Sequence, residues 1–174
     1  MTRKPEPPTL VKEAYSRRRS VDPLTTRAVM SRPATVLILD TNVVLDLFYF
    51  QDRRCAVLAA ALADARCRWI ASAAMRDEIE HVLARGLRGE WPGNASTVAA
   101  AWARCAAIVE ADGRPAPPGL RCTDADDQKF IDLALQVRAC ALLSADRAVL
   151  RLARHGRVHG LEISTVERWT SRMS

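Results

Sequence analysis

Short, wholly apolar runs alternate along this chain with longer segments of helical periodicity. Thr35-Val36-Leu37-Ile38-Leu39 is a continuous β-branched and aliphatic run, the pattern of a strand buried on both faces of a parallel sheet. It stops at Asp40-Thr41-Asn42, where Thr41 or Asn42 can cap a helix over 43–50. Asp52 can cap an alanine-rich helix reaching Arg66. Residues 68–71 read as a second strand, followed by Ser72 and a helix over 74–85. Gly86, Gly89, Pro92 and Gly93 break the chain, and 95–110 has the composition of another helix. Pro115, Pro117 and Pro118 mark a loop. A helix over 126–138, a strand over 140–143, Ser144, a helix over 146–154, a strand over 161–163 and a terminal helix over 165–172 complete the pattern. Strands alternating with helices predict an α/β fold with a mostly parallel central sheet of four to five strands, covered by helices on both faces.

The composition agrees with one folded domain. With 174 residues, 49% of them hydrophobic, and a mean hydropathy of −0.09, the chain can bury a sizeable core and is not wholly disordered. No window approaches the roughly 18 apolar residues of a membrane span, and the N-terminus lacks the apolar stretch of a secretory leader. The five cysteines (Cys55, Cys67, Cys105, Cys122 and Cys140) are scattered and never spaced C-x-x-C. They read as free thiols, mostly small buried hydrophobes, in a reducing and therefore cytoplasmic setting.

Charge changes the picture at one end only. The net charge is +6, but residues 1–32 hold eight basic residues against Glu6, Glu13 and Asp22, leaving +1 for the rest. Residues 1–33 read as a basic, flexible arm and 34–174 as the folded domain. Met30, just ahead of the first strand, offers an alternative start that would omit most of the arm.

Candidate chemistry lies in the acids. Ligands of an open parallel sheet bind outside the carboxyl ends of its strands, where Asp40 and Asp146 follow the first and the 140–143 strands. In the 74–85 helix, Glu78 falls within the apolar stripe of Met75, Ile79 and Val82, whereas Asp77 and Glu80 turn away. The stripe of Phe130, Leu133, Ala134 and Val137 extends back to Asp126 and Asp127, with Asp124 close by. No basic residue shares these stripes, so carboxylates gathered there would repel one another unless a divalent cation sat among them. Hard oxygen donors without a His or Cys cluster favour Mg²⁺ or Mn²⁺ over zinc.

Other chemistries lack their residues. No glycine-rich phosphate loop, H-E-x-x-H pair or G-x-S-x-G elbow occurs, and His81, His155 and His159 read as surface residues.

Residues 36–45, Val-Leu-Ile-Leu-Asp-Thr-Asn-Val-Val-Leu, resemble the opening of a PIN domain, a hydrophobic strand ending in Asp-Thr-Asn. Residues 72–85, 124–134 and 142–150 resemble its second, third and fourth motifs, in order. The closest type is the PIN-like (PilT N-terminus-like) group of bacterial toxin–antitoxin toxins. The resemblance implies a three-layer α/β/α PIN-like fold and a PIN-like nuclease domain over 34–174. It also implies an Mg²⁺- or Mn²⁺-dependent endoribonuclease with Asp40, Glu78, Asp127 and Asp146 as catalytic and metal-binding acids.

Asp124, Asp126 and Asp127 stay open as the third ligand. Asp127 is favoured because it begins the inward stripe, and Asp124 comes second. Many PIN domains carry an acid where Gln128 stands, and that departure keeps a catalytically silent RNA- or protein-binding module as the alternative. Thr41, Asn42 and Ser144 carry groups suited to positioning ligands, water or phosphate. Arg76, Arg121 and Arg147 could hold an RNA backbone, Trp91 could contact a base, and Trp102 reads as a packing residue. The implied partners are RNA, a cognate antitoxin protein and a second copy in a homodimer, with no membrane.

Overall fold

The computed structural model describes residues 34–172, so the basic arm over 1–33, including Met30, lies outside the described residues. Five strands form one sheet in the order β3-β2-β1-β4-β5, with every neighbouring pair parallel. The strands are β1 (Thr35–Leu39), β2 (Cys67–Ala71), β3 (Ala106–Ile108), β4 (Ala141–Leu143) and β5 (Glu162–Ser164). Between them run α1 (Thr41–Phe48), α2 (Ala56–Ala63), α3 (Ala73–Ala84), α4 (Ala95–Cys105), α5 (Gln128–Gln136), α6 (Arg147–Leu150) and α7 (Ala153–Val158), and α8 (Val166–Thr170) follows β5. The result is the expected three-layer α/β/α arrangement. No helix among the described residues is long and apolar enough to cross a membrane.

The apolar runs become the middle of the sheet because both of their faces are covered. Leu37, Ile38, Leu39, Trp69, Leu142 and Leu143 have essentially no exposed surface. Leu37 pairs with Trp69 on one side and with Ala141 on the other, so the strand nearest the start of the domain is its central one. α5 packs on β1 and β4 through Phe130, Ile131 and Leu133, all buried. The chain builds outward from β1 through β2 to β3, then crosses back to β4 on the other side of β1. That reversal opens a crevice between the carboxyl ends of β1 and β4, where doubly wound sheets bind ligands.

The expected helix over 95–110 ends early. At Cys105 the chain turns extended, and Ala106, Ala107 and Ile108 pair with Trp69, Ile70 and Ala71 of β2. Alanine favours a helix, but the open edge of β2 offers a ladder of backbone bonds that local propensity does not see. The expected helix from Asp52 to Arg66 is instead a 3₁₀ turn, Arg53–Cys55, capped by Asp52, followed by α2 alone. The expected helix over 146–154 divides into α6 and α7 around Arg151 and Leu152. Thr41 and Asn42 do not cap α1. The helix begins at Thr41 with Asp40 in the cap position, and no side chain there makes a capping bond.

All five cysteines are free; Cys55 and Cys67 are buried, but Cys140 is exposed, contrary to the expectation of burial. Trp102 is a packing residue, as expected. Its ring meets Trp69 edge to face at 4.6 Å between centroids, while Phe48 stacks on Trp69 at 6.2 Å. Trp69 is thus the keystone between the sheet and two helices. Trp69→Ala should lower unfolding stability by about 3–5 kcal/mol, measured as a fall in the urea midpoint; a loss under 1 kcal/mol would contradict this packing.

Candidate active site

The centre of the crevice is Asp40, which ends β1 and is only 3% exposed. Its Oδ2 accepts from the Ser144 hydroxyl at 2.5 Å and from the Asn42 amide at 2.7 Å. Asn42 Oδ1 in turn accepts from the Ala145 backbone N–H at 2.9 Å, and Ser144 Oγ accepts from the Asp146 N–H at 2.8 Å. Ser144 and Asn42 therefore lace the loop after β1 to the loop after β4. Burial pushes the Asp40 carboxyl above the ordinary carboxylate range, while Ser144, Asn42 and the Thr41 backbone bond favour its charged form and the Glu78 charge opposes it.

Asp127 stands in the cap position of α5 but makes no side-chain capping bond, so its carboxylate is not consumed by the helix. It is pushed up to about 6, first by burial and then by the charges of Asp40, Asp146, Asp124 and Glu78. Acids from four separate segments thus act on one carboxyl. Three of them, Asp40, Glu78 and Asp146, are sequence-predicted positions, and the fourth such position is Asp127 itself. The half-buried Cys122 thiol, which sequence reasoning left among packing residues, also lies in this field. It is raised by burial and by Asp127, Asp124 and Asp146.

Each outlying acid has a local partner. Asp146 Oδ1 accepts from the Ala148 N–H at 2.6 Å, so it caps α6, as its position allowed. Asp124 Oδ1 accepts from the Asp126 N–H at 2.9 Å. Asp126 is exposed and lies before α5 begins, off the inward stripe that sequence extrapolation gave it. Among the described residues no group of three or more His, Cys, Asp or Glu side chains stands ready to hold a metal ion. The acids share a field, but their side chains are turned to these partners.

Glu78 corrects a second expectation. A basic residue does share the stripes, because Lys129 Nζ lies 2.6 Å from Glu78 Oε2. That oxygen is otherwise buried without a hydrogen bond. The Glu78 carboxylate is thus met by an ammonium, whereas the Asp127 carboxylate, without a capping bond, is a hard oxygen donor suited to a divalent ion. Sequence carried one clue to Lys129, which is the only lysine in residues 34–174.

Gln128 does not occupy an acid's place in the crevice. Its amide accepts from the Cys122 N–H at 2.7 Å and donates to the Leu120 carbonyl and to Asp132 Oδ1. It staples the loop that carries Asp124 and Asp127. The surface residues sort differently. Arg76 pairs with Glu80 at 2.8 Å, while Arg121 and Arg147 are exposed. Trp91, 46% exposed, leans edge-on against Phe50 and donates to the Arg88 carbonyl. A groove of about 550 Å³ between α3 and α4, lined by Ile79, Leu83, Val98 and Trp102, contains none of the candidate acids.

A family model described as PIN domain matches residues 36–148, the greater part of the chain and all four acids. A comparison with curated proteins finds no match.

The Asp127 shift has a measurable sign. Its folded pKa lies above the ordinary unfolded value of about 4, so the folded state holds the proton more tightly. The stability this contributes is present at pH 4 and is lost as pH rises through about 6. Without divalent ions, Asp127→Asn should therefore melt higher than the parent at pH 7, and the gap should close toward pH 4. Thermal unfolding across this range in a chelator reads it out; parallel pH profiles would show that Asp127 is not crowded by the other acids.

Proposed function

The chain belongs to the PIN domain family, whose members are generally nucleases, and on that premise we propose that it is an endoribonuclease hydrolysing RNA phosphodiester bonds. The proposed ligands for Mg²⁺ or Mn²⁺ are Asp40, Glu78, Asp127 and Asp146, with Asp124 at the rim. The observation that carries this reading is the Asp127 carboxylate, without a capping bond at the start of α5 and pushed up first by burial and then by the charges of Asp40, Asp146, Asp124 and Glu78. Such crowding costs folding energy, and a divalent cation relieves it. A bound ion of this kind lowers the pKa of a water and offsets charge developing on the attacked phosphate.

The chain's own residues would divide the remaining work. Ser144 and Asn42 hold Asp40 in one orientation through the bonds to its Oδ2. Asp40 and Asp127 ionise fully once a divalent charge offsets their neighbours. Asp124, with its Oδ1 turned to the Asp126 N–H, is the weaker third-motif candidate beside Asp127. Gln128, bonded to the Cys122 and Leu120 backbone and to Asp132, supports this reading by holding the loop that presents Asp127, while a catalytically silent RNA- or protein-binding module stays the alternative.

A polyanionic substrate is supported by the surface beside Asp146. Arg147, Arg151, Arg154 and Arg157 on and between α6 and α7 are exposed, and no acid occurs from 147 to 161. Guanidinium forks match phosphate oxygens. A role as the toxin of a toxin–antitoxin pair, a protein antitoxin, a homodimer and a cytoplasmic setting rest on the motif resemblance and the cysteine pattern. A small co-transcribed neighbour that copurifies with the chain would support the pairing.

Asp40→Asn keeps the side chain's shape and removes its charge. It should retain the fold while slowing Mn²⁺-dependent RNA cleavage on the order of 10²-fold or more. Matched RNA and DNA oligonucleotides measure this; parental rates in the variant would overturn the site, and preferential DNA cleavage would overturn the substrate. Arg151→Gln with Arg154→Gln should weaken RNA binding and make the log–log salt slope shallower by about 1.4. Fluorescence anisotropy in the Asp40→Asn background reads this out, and an unchanged slope would remove the arginine track.

A further inference from the structure

The observation is an ion pair where metal would be expected to do the neutralising. Lys129 Nζ lies 2.6 Å from Glu78 Oε2; both side chains are half-buried, at 26% and 29% exposed, and the Oε2 atom itself is buried. Lys129 also donates to the Asp126 main-chain carbonyl, and its Nζ lies 5.1 Å from the centroid of the buried Phe130 ring. Carboxylate, carbonyl and ring face together fix the ammonium between α3 and the start of α5. It borders an open depression lined by Asp77, Glu78, His81, Arg85 and Asp126.

The residue type is selective. Arginine supplies every other basic residue in 34–174, and lysine occurs only here. An ammonium is a compact point charge with three rotatable donors, whereas guanidinium is a broad planar fork. The separate N–H donors of Lys129 meet the Glu78 carboxylate and the Asp126 carbonyl from one compact centre. Removing Glu78 from this partner to serve a second ion would give up a charge-assisted contact at 2.6 Å.

We propose that Lys129 is a built-in cation of the carboxylate site, occupying through Glu78 the place a second divalent ion would take. The chain then binds one divalent ion, held on the Asp40, Asp127 and Asp146 side. This inference rests on the metal-dependent reading proposed above and narrows it, because Glu78 acts chiefly through Lys129.

The test is calorimetric titration of MnCl₂ into the full chain, with unfolding profiles run alongside to establish that each variant is folded. The parent should bind one Mn²⁺ per chain. Lys129→Met, which keeps the length of the stem and drops the charge, should bind two. Lys129→Gln is the second variant and should also bind two. Asp40→Asn should lose at least 10-fold in affinity for the first ion. Two ions in the parent, both weakened by Asp40→Asn, would overturn the role of Lys129 while leaving the metal site intact. One ion in the parent and one in both Lys129 variants would do the same. No Mn²⁺ bound by the parent or by either Lys129 variant would overturn the metal reading and this inference together.

Discussion

A carboxylate placed where a hydrocarbon core ends governs this structure. Asp40 directly follows Leu39, which is essentially buried, and is itself almost without exposed surface. An uncompensated charge there would cost more than the fold could bear. Ser144 and Asn42 supply the compensation, Asn42 from the first turn of α1 and Ser144 from just beyond β4. The Asp40 N–H also bonds the Leu143 carbonyl, which holds β1 and β4 in register at the point where the charge must be solvated. The sheet order makes this possible, since β1 lies between β2 and β4 and the chain reverses direction across it.

The surrounding acids turn that solvated charge into an electrostatic problem of larger scale. Asp127 is lifted to about 6 by burial and by its acidic neighbours, so the folded state holds its proton more tightly than the unfolded chain does. Two remedies are visible in the chemistry. One is internal, the ammonium of Lys129 against Glu78. The other is external, a hard divalent cation suited to the oxygen donors that remain. Gln128 contributes at one remove, fixing the loop that presents Asp127 through bonds to the Cys122 and Leu120 backbone.

The local partners of the acids have a further consequence. Asp146 caps α6, and Asp124 closes a turn onto Asp126. These bonds position the backbone of each loop, so the same residues can serve folding in one side-chain orientation and ligand binding in another.

What the sequence determined by itself was whatever depends on near neighbours along the chain. The run 35–39 and the run ending at Leu143 had to be central strands because no other element buries continuous aliphatic side chains on two faces. Glu78 fell within an apolar stripe, and the order of four acidic motifs implied a family that the match over 36–148 bears out. The tertiary structure decided what depends on residues far apart in sequence. It drew Ala106–Ile108 out of a helical pattern onto the open edge of β2, and it brought Lys129 to Glu78 across two helices. It also turned Asn42 from a presumed cap into a bridge to Ala145 and tied Gln128 to the Cys122 and Leu120 backbone and to Asp132. Periodicity and composition register the face a side chain prefers, but strand pairing and ion pairing are set by the partner that folding delivers.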